Sequence, residues 1–443
     1  MKHRLIGTSA IAVGTILAAL TWAWAGTVNS PQTFHNPTRV SVQRNRPPIP
    51  TTTKAFNWLQ PFANSQHTGY NPVETALTRS NVSMLKEAWQ SSPISPSTYG
   101  SMVTDGGVVY VGGGGSSGYG DVYAFDANTG AQKWSFFTLF PNAYTPAISG
   151  ALIYVDCYTS SSAGSQGLCA LSRSTGKLQW GYNYNCQCTH YSSIFSAAAV
   201  SGTTVVFDYY FGDECFCVAA LNASTGTFLW KATAGTGSSN NLASSTPAID
   251  KGNVFVATNS GICSYQLANG TLNWCDSRNF PTLRGAVAAS KGVVYASYVG
   301  TSSSNGDVIF AENESNGSQL WFYQEPCYAC LAGDNDPPAI AKGTVYASGN
   351  SGGYLYAFNA KSGKPLWSTN GGVVLNFTAP SIANGVVYVG CDSGNNNFCA
   401  HNSATGKLLA SIGPTGAKYQ GSPAIANGKV YVQSPSSLLM FDL

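Results

Sequence analysis

Charge is the scarcest property of this sequence. Asp, Glu, Lys and Arg together make up 9% of the 443 residues, against about 25% in an ordinary soluble domain. The formal charge is +3, and the chain has no run of Lys or Arg that would replace the counterions of a nucleic acid. The composition therefore excludes nucleic acid as a partner. Disorder is excluded too, because aromatic and β-branched residues are plentiful beyond residue 80.

The chain begins with the features of an export signal. Basic residues at positions 2 to 4 precede an apolar stretch over 5–20, and Ala23-Trp24-Ala25 offers small residues for cleavage before Gly26. This pattern predicts a signal peptide over 1–25, and so a secreted or periplasmic protein without a membrane span after cleavage. An uncleaved anchor is the alternative, because the apolar stretch approaches the ~20 residues that cross a bilayer. Residues 26–54, rich in Pro, Thr and Asn, have the composition of a linker.

Cysteine is the exception to this sparseness, with 12 residues. In an exported chain such cysteines favour disulfides over metal sites. Their spacing predicts three bonds, between Cys157 and Cys169, Cys263 and Cys275, and Cys391 and Cys399. The pairing of Cys186, Cys188, Cys215, Cys217, Cys327 and Cys330 stays open. The first four of these lie in two loops of one repeat, whereas the last two form either a tight local bridge or a redox-type pair. Zinc is a minor alternative, since no His lies at ligand spacing from a Cys pair.

One phrase returns through the chain: a turn ending in Gly, three further residues, and then Trp. Consecutive Trp residues of the phrase are 44 to 50 residues apart, which is the period of a propeller blade. This period overrules the roughly three domains of ~150 residues that the length alone suggests. The residues are Trp134, Trp180, Trp230, Trp274, Trp321 and Trp367, and a final copy of the phrase has Ala410 in place of Trp.

Each period also carries β-strand patterns. Alternating β-branched and aromatic runs, such as 108–111 and 386–389, follow short small-residue phrases such as 145–148. Each period therefore holds four strands, which we name a to d from the centre outwards. Eight copies of the strand a phrase predict an all-β, eight-bladed propeller over residues 55–443, with almost no helix.

The final repeat supplies only three strands, since residues 429–433 form strand b and 438–443 form strand c. The missing strand d is present at residues 85–89, which end in Trp89. We therefore expect strands from the two ends of the propeller sequence to share the last blade, so that the ring closes without a free sheet edge.

The phrase over 354–367, YLYAFNAKSGKPLW, closely resembles the repeat of the pyrroloquinoline-quinone-type propellers. The segment QHTGYNP at 66–72, leading to Trp89, looks like the corresponding part of their dehydrogenase members, particularly the polyvinyl-alcohol-dehydrogenase-like group. The resemblance covers residues 56–443 and implies an eight-bladed ring. For an enzyme of this family it also implies pyrroloquinoline quinone with calcium and oxidation of a CH–OH group. Cofactor-free members share the same Gly-to-Trp phrase, so the phrase does not imply bound quinone.

Two departures weigh against the enzyme. The alcohol dehydrogenases of this family carry a disulfide between sequence-adjacent cysteines over the cofactor, and this chain has no adjacent Cys pair. They hold calcium with acidic and amide side chains, and only 19 acids occur here.

Candidate site residues come from aligning the strand a phrases. The loops entering strand a and those joining strands b and c share one face of a propeller, where the central channel opens. The alignment places Arg284, Asn335 and Gln420 at this mouth. Arg284 can bind a carboxylate bidentately, and Asn335, Asn376 and Gln420 add amides for cofactor binding. Asp336 is the candidate catalytic base and Asp334 the candidate metal ligand. The structural alternative is that Arg284 only pairs with Asp336 and that Asp336 shapes a turn.

Two functional classes follow from these residues. The first is a binding or scaffold module, acting as a monomer, that takes a protein or glycan on its loop face and central channel. The second is a quinone-dependent alcohol or sugar dehydrogenase with a small-molecule alcohol as substrate. The missing adjacent cysteines and the scarce acids favour the binding module.

Overall fold

Eight four-stranded antiparallel sheets make up the protein, two of them extended by a short fifth strand. The computed structural model describes residues 55–94, 101–105, 107–114, 120–138, 145–158, 166–183, 192–193, 196–211, 215–235, 246–258, 261–276, 286–298, 308–324, 337–349, 354–370, 378–391, 398–413, 420–434 and 436–443. The predicted signal peptide and linker lie outside these residues. The prediction of an all-β, eight-bladed propeller is confirmed.

The strands of the first four blades follow one another along the chain. Blade 1 contains β3 (Met102–Asp105), β4 (Val108–Gly114), β5 (Gly120–Asp126) and β6 (Gln132–Phe137). Blade 2 contains β7 (Ala147–Ser149), β8 (Leu152–Tyr158), β9 (Gln166–Ser172) and β10 (Leu178–Asn183). Blade 3 contains β11 (Ser192–Ser193), β12 (Ala199–Ser201), β13 (Thr204–Phe211), β14 (Cys215–Asn222) and β15 (Phe228–Gly235). Blade 4 contains β16 (Ala248–Asp250), β17 (Asn253–Thr258), β18 (Gly261–Gln266) and β19 (Leu272–Cys275).

The second half repeats this order. Blade 5 contains β20 (Ala288–Ser290), β21 (Val293–Tyr298), β22 (Val308–Asn313) and β23 (Gln319–Gln324). Blade 6 contains β24 (Ala339–Ala341), β25 (Thr344–Gly349), β26 (Tyr354–Asn359) and β27 (Pro365–Asn370). Blade 7 contains β28 (Ser381–Ala383), β29 (Val386–Gly390), β30 (Phe398–Asn402) and β31 (Leu408–Ile412), with β1 (Tyr70–Asn71) parallel to β28. Blade 8 contains β32 (Gln420–Ala426), β33 (Lys429–Ser434), β34 (Ser437–Asp442) and β2 (Lys86–Gln90).

The ring closes in blade 8 as the sequence predicts. Strand β2 pairs antiparallel with β34, with Trp89 opposite Met440. Every residue of β34 is buried, because the strand lies between β33 and β2 and between neighbouring blades. Among the described residues the one helical element is a single 3-10 turn over Val82–Met84, so the expected near-absence of helix also holds there. None of these residues forms a helix long and apolar enough to cross a membrane.

Each pair of neighbouring blades meets through the repeated Trp. The Trp of strand d packs on the Gly in the strand c to strand d turn of the following blade, and its indole N–H donates to a carbonyl of that turn. Trp230, for example, donates to the carbonyl of Leu267 at 2.8 Å and covers Gly270, whose φ is +72°. A Cβ on that Gly would lie 2.5 Å from the indole. The Gly therefore provides both the left-handed turn conformation and the space for the ring.

The three predicted disulfides are confirmed. Cys157–Cys169, Cys263–Cys275 and Cys391–Cys399 are bonded, with Cα separations of 5.8, 4.1 and 5.6 Å. The first joins strands b and c of blade 2, the second joins strands c and d of blade 4, and the third joins the residue after strand b of blade 7 to strand c. Cys217 is disulfide-bonded as well. Cys186, Cys188, Cys327 and Cys330 lie outside the described residues.

Candidate functional site

One end of the central channel is occupied by the segment that precedes the first blade, which we call the hub segment (residues 58–71). It makes hydrogen bonds to strand a of each blade in turn. Its backbone carbonyls accept from the amide N–H groups of Thr104, Ile148, Ile249, Ala289, Ile340 and Ile382. The Gln60 side chain bonds both backbone groups of Val200, and the Asn71 amide donates to the carbonyl of Ile425. All eight inner strands are thus tied to one short segment near their a-to-b turns.

His67 lies inside this hub. Its side chain is fully buried, and Nδ1 lies 2.9 Å from the carbonyl of Val287 at the start of strand a in blade 5. Because a carbonyl only accepts, Nδ1 carries the proton and Nε2 has none. The rings of Phe62 and His67 pack edge to face, with their centroids 5.4 Å apart. Burial lowers the pKa of His67 to about 4. His67 is enclosed in this way because the hub segment runs across the inner strands rather than beside them.

The sequence alignment predicts that the site residues lie at the opposite end, where the loops enter strand a. Arg284, Asp334, Asn335, Asp336 and Asn376 lie outside the described residues. Gln420 is the first residue of β32, where its backbone is opposite Gln433. The roles assigned to these six residues therefore stay predictions. The described residues at the same end of the blades, in strand b and at the start of strand a, show which groups adjoin these loops.

A polar layer lies at this end of the blades. It consists of the fifth residue of strand b, which is Asp156, Asp208, Ser297, Ser348 and Gln433 in blades 2, 3, 5, 6 and 8, and Gly or Ala in the other three. Asp156, Asp208 and Gln433 are 4%, 1% and 0% exposed. Burying a carboxylate is costly unless it is paired or hydrogen-bonded. Polar groups kept at this depth in otherwise apolar strands therefore point to a use at this end.

Hydrogen bonds join the polar layer to the residues where the loops enter strand a. The hydroxyl of Ser196 donates to Asp208 Oδ1, and the hydroxyl of Thr378 accepts from the N–H of Gly390 at 2.9 Å. Around the axis, Ser422 N–H donates to the Ser101 hydroxyl at 3.1 Å, and Ser101 N–H donates to the Thr145 hydroxyl at 2.6 Å. The bonds of Thr378 and Ser422 hold the chain just after two predicted site residues, Asn376 and Gln420.

Two buried polar atoms of blade 8 at this end find no hydrogen-bond partner within the described part of the chain. Gln433 donates its amide N–H to the carbonyl of Gly112 in blade 1, which leaves Oε1 buried with no hydrogen-bond partner among the described residues. Ser422 Oγ, on the neighbouring strand, is likewise buried with no partner in that part of the chain. Because Oε1 can only accept, it would suit a ligand that donates.

The same residues show whether this end of the blades would fit pyrroloquinoline quinone. Pyrroloquinoline quinone bears three carboxylates, so its site needs cations. The described residues of the polar layer and of the loop ends supply carboxylates, amide oxygens and hydroxyls, and none is Lys, Arg or His. The described residues also hold no group of three or more His, Cys, Asp or Glu side chains placed to bind a metal ion. This set does not fit the quinone, whose carboxylates would depend on cations of loops outside the described residues, such as Arg284.

Sequence reasoning overlooked Asp156 and Asp208, although both carried a readable signal. Each is the one acid in an apolar strand, in Val155-Asp156-Cys157 and Phe207-Asp208-Tyr209. The blade period also places both at the same strand position. Aligning strand b as well as strand a would have found them.

The fold and this loop-bearing end define a propeller of the pyrroloquinoline-quinone-type repeat class. The family of the outer membrane protein assembly factor BamB matches residues 83–323 and 351–442. The chain belongs to this family.

Individual relatives are distant. The chain is 25% identical to BamB of Yersinia pestis over 315 residues, which cover 60% of this chain and 77% of that protein. It is 21% identical over 343 residues to a tetrathionate hydrolase of Acidithiobacillus ferrooxidans, covering 69% of this chain and only 64% of the length of the relative. The quinohemoprotein alcohol dehydrogenase of Comamonas testosteroni superposes with a TM-score of 0.70 at 16% identity, over 89% of this chain and 81% of the dehydrogenase. That likeness concerns the fold alone.

Proposed function

We propose that the protein is an exported binding module whose loop face, around the channel mouth, takes a small ligand rich in hydroxyl groups, of the glycan class. The polar layer is the observation that carries the proposal. It concentrates buried carboxylate, amide and hydroxyl groups at one end of the blades, while the hub segment fills the other end. A few convergent polar groups beside an apolar frame are what a small-molecule pocket requires. The three disulfides support export, because such bonds persist in oxidising compartments.

The hydrogen-bonding character of this end supports a donating ligand. Gln433 Oε1 accepts and has no donor among the described residues, Ser422 Oγ both accepts and donates, and the carboxylates of Asp156 and Asp208 accept. Hydroxyl groups of a sugar or alcohol supply the matching donors. In this proposal Asn335, Asn376 and Gln420 contact the ligand from the loops, with Arg284 and Asp336 paired beside them.

The alternative is a quinone-dependent dehydrogenase with Asp336 as base, Asp334 on calcium, and Arg284 on a quinone carboxylate. The described acceptors give the quinone no cation, which favours the binding module. The printed name of the BamB relative, an assembly factor, also suits a binding role.

The test compares the two ligands on one protein. The full chain is screened on a glycan array, and a positive glycan is then titrated by calorimetry. In parallel, pyrroloquinoline quinone with calcium is titrated by visible absorption. Gln433→Leu should weaken the glycan about 2- to 10-fold, the usual effect of one neutral hydrogen bond. Asp250→Asn, a buried acid at the opposite, hub end, is the matched control and should leave the affinity unchanged.

Quinone binding that is lost in Arg284→Ala, together with no glycan binding, would establish the dehydrogenase instead. Glycan binding that is equally weakened by Asp250→Asn and Gln433→Leu would locate the site elsewhere.

A further inference from the structure

Exposed cations collect at the hub end of blades 5, 6 and 7, on a surface that we call the basic face. Five lie in the a-to-b or c-to-d turns of these blades, and the sixth lies beside such a turn: Lys291, Lys342, Lys361, Lys364 and Lys407, and Arg79. None of the six forms an ion pair with another described residue. The described residues of blades 6 and 7 contain no Asp or Glu, and the two acids described in blade 5, Glu312 and Glu314, are buried. The basic face therefore carries an excess of positive charge.

Hydrogen bonds between the turns hold these cations next to one another. In blade 6 the N–H of Ala360 donates to the carbonyl of Gly343 at 3.0 Å, which joins the turn of Lys361 to the turn of Lys342. The carbonyl of Ala360 in turn accepts from the indole N–H of Trp321 in blade 5 at 2.9 Å. The corresponding Trp of blade 6 donates to the c-to-d turn of blade 7. The turns of the three blades therefore form one continuous surface.

The same end of other blades is different, because its cations are paired or isolated. The guanidinium of Arg173 in blade 2 pairs with the carboxylate of Asp105 in blade 1. Lys251 of blade 4 pairs with Glu314 of blade 5 at 2.9 Å. Lys177 is the one exposed cation in the described turns of blade 2. Blades 5 to 7 thus differ in holding a group of cations that the described residues leave unpaired.

The geometry points to the basic face as a docking surface for the anionic phospholipids of a membrane. Its cations are spread over three blades, whereas a site for a single anion would have them converge on one point. Five of the six are lysines, which act as point charges and lack the planar fork with which arginine binds one carboxylate or phosphate bidentately. A spread of point charges suits a surface of many phosphate groups.

The chain before the hub segment supports this occupant. The backbone of Phe56 is bonded to the Asn427 side chain in the a-to-b turn of blade 8, with its N–H donating at 3.0 Å and its carbonyl accepting at 3.2 Å. Residues 26–54 are therefore attached at the hub end. They contain no Asp or Glu and four cations: Arg39, Arg44, Arg46 and Lys54. A basic segment joined to a basic face favours anionic lipid, because each Lys or Arg near such a surface adds about fivefold in affinity.

Docking through the basic face leaves the other end of the blades free. The channel mouth lies at the end opposite the hub segment, so a membrane on the basic face would not cover the loop face. This proposal therefore does not depend on the channel-mouth ligand, and either proposal can fail without the other.

The test measures binding of the full chain to vesicles by flotation. One set of vesicles contains phosphatidylglycerol and phosphatidylcholine in a one-to-two ratio, and the other contains phosphatidylcholine alone. We expect binding to the anionic vesicles well above any binding to the zwitterionic ones. This difference should shrink with salt, because the Debye length falls from about 30 Å at 0.01 M to about 10 Å at 0.1 M.

The test variant removes two charges from blade 6 with residues that other blades use at the same turn positions. Lys342→Asn introduces the residue found there in blades 7 and 8, where Asn384 and Asn427 have the same left-handed backbone. Lys361→Ser introduces the residue found in blade 3, Ser224. The double variant should bind the anionic vesicles about 10- to 30-fold more weakly, since two cations are lost.

The matched control removes two exposed lysines from the outer strands of blades 1 and 3. Lys133→Gln and Lys231→Ser copy Gln179 of blade 2 and Ser135 of blade 1. This double variant should stay within about twofold of the parent, because it keeps the basic face. Acetylation of lysines, followed by mass spectrometry, gives a readout that does not depend on affinity. Anionic vesicles should protect Lys342 and leave Lys231 reactive.

Several results would overturn the proposal. The first is equal binding to both kinds of vesicle, or no binding to either. The second is equal weakening by the test and control variants without protection of Lys342. Binding of decaglutamate, but not of vesicles, with the same dependence on Lys342 and Lys361 would identify an acidic polypeptide as the occupant instead. Protection of Lys342 by inorganic phosphate as complete as that by vesicles would identify a site for a single anion, and so would also overturn it.

Discussion

Seven contacts between neighbouring blades share one construction, and the contact between blades 7 and 8 has another. In the seven, a Trp on strand d covers a Gly in the next blade and donates to a carbonyl of the same turn. In the eighth, Ala410 stands at the Trp position, and strands c and d of blade 8 come from distant parts of the sequence, so that no turn joins them. Residues before the first blade fill this seam instead, since Leu77, Val82 and Leu85 are buried in the cluster that contacts Ala410.

The difference shows that the turn between strands c and d positions neighbouring blades. Tyr110, Tyr154, Tyr295 and Tyr346 on strand b each donate to the turn carbonyl of the following blade. Tyr388, their counterpart in blade 7, is fully buried with no hydroxyl partner among the described residues. Burial raises the pKa of this hydroxyl. Where the turn is missing, its carbonyl acceptor is missing too, and apolar packing holds the two blades together with the hydrogen bond from the Ser381 hydroxyl to the carbonyl of Pro423.

The largest effect should come from breaking this closure. Removing Leu438–Leu443 deletes most of β34, which pairs β33 with β2 and is completely buried. Blade 8 would then lose its connection to β2 and the ring would open. We expect loss of the cooperative thermal transition, measured by circular dichroism. Deletion of Leu443 alone, which follows β34 and is 43% exposed, should leave the transition within a few degrees of the parent. Similar melting curves for both deletions would show that β34 does not close the ring.

The next largest effect should come from a single Trp. Trp230 is 6% exposed and packs between blades 3 and 4, with its N–H on the carbonyl of Leu267. Trp230→Ala should lower the free energy of unfolding by about 3–5 kcal/mol, as expected for an aromatic removed from a core. Leu229→Ala, at the exposed neighbouring position, should cost about 0.5 kcal/mol or less. Urea unfolding measures both. A loss below 1 kcal/mol for Trp230→Ala would mean that other contacts between the two sheets, rather than the Trp, hold blades 3 and 4 together.

Periodicity made most of the fold predictable. The Gly-to-Trp phrase repeats because each seam needs the same small turn and the same large side chain, so blade number, strand order and closure could all be read from spacing. The disulfides followed for the same reason, since Cys169, Cys263 and Cys399 occupy one repeat position. The hub segment has no period, because a single copy serves all eight blades. Nothing in the pattern around Trp58 or His67 indicated that it would cross the channel.

The candidate site was less predictable, because its residues break the repeat. Arg284, Asn335 and Asp336 follow from alignment to the strand a phrases, but their arrangement depends on loops of unequal length. Asp156 and Asp208 were readable only as acids at positions where other blades have Gly, Ala or Ser. A repeat predicts what its copies share, whereas binding residues are those in which the copies differ.

Lowering the pH should destabilise the hub segment before it destabilises the contacts between neighbouring blades. Burial lowers the pKa of His67 from 6.5 to about 4, so the folded protein binds fewer protons than the unfolded chain between these values. The contribution of His67 to the free energy of unfolding is complete above pH 6.5. It declines as the pH falls towards 4, by about 3 kcal/mol in all. His67→Asn should remove this dependence of the free energy of unfolding on pH. Asparagine tolerates the φ of 57° found at this position.

Urea unfolding at pH 4, 5, 6 and 7 gives the comparison for the His67 prediction. The pKa of His401 is also lowered by burial. His401 is present in both proteins, so the difference between the two profiles isolates His67. If the free energies of unfolding of the two proteins changed in parallel with pH, the lowered pKa of His67 would be refuted.

The smallest effect separates two reasons for glycine in the blade turns, the left-handed backbone and the contact with a Trp ring. Gly252 and Gly270, both in blade 4, have φ of +80° and +72°, but a Cβ on Gly252 would meet nothing within 4 Å, whereas one on Gly270 would lie 2.5 Å from the Trp230 ring. Gly252→Ala should therefore cost about 1–2 kcal/mol, from the left-handed backbone alone. Gly270→Ala should cost a further 1–3 kcal/mol, roughly the range for overpacking. In the Trp230→Ala background the added Cβ meets no ring, and the two alanine variants should then cost the same by urea unfolding. An excess cost of Gly270→Ala that persists without the indole would show that the turn, and not its contact with Trp230, requires glycine.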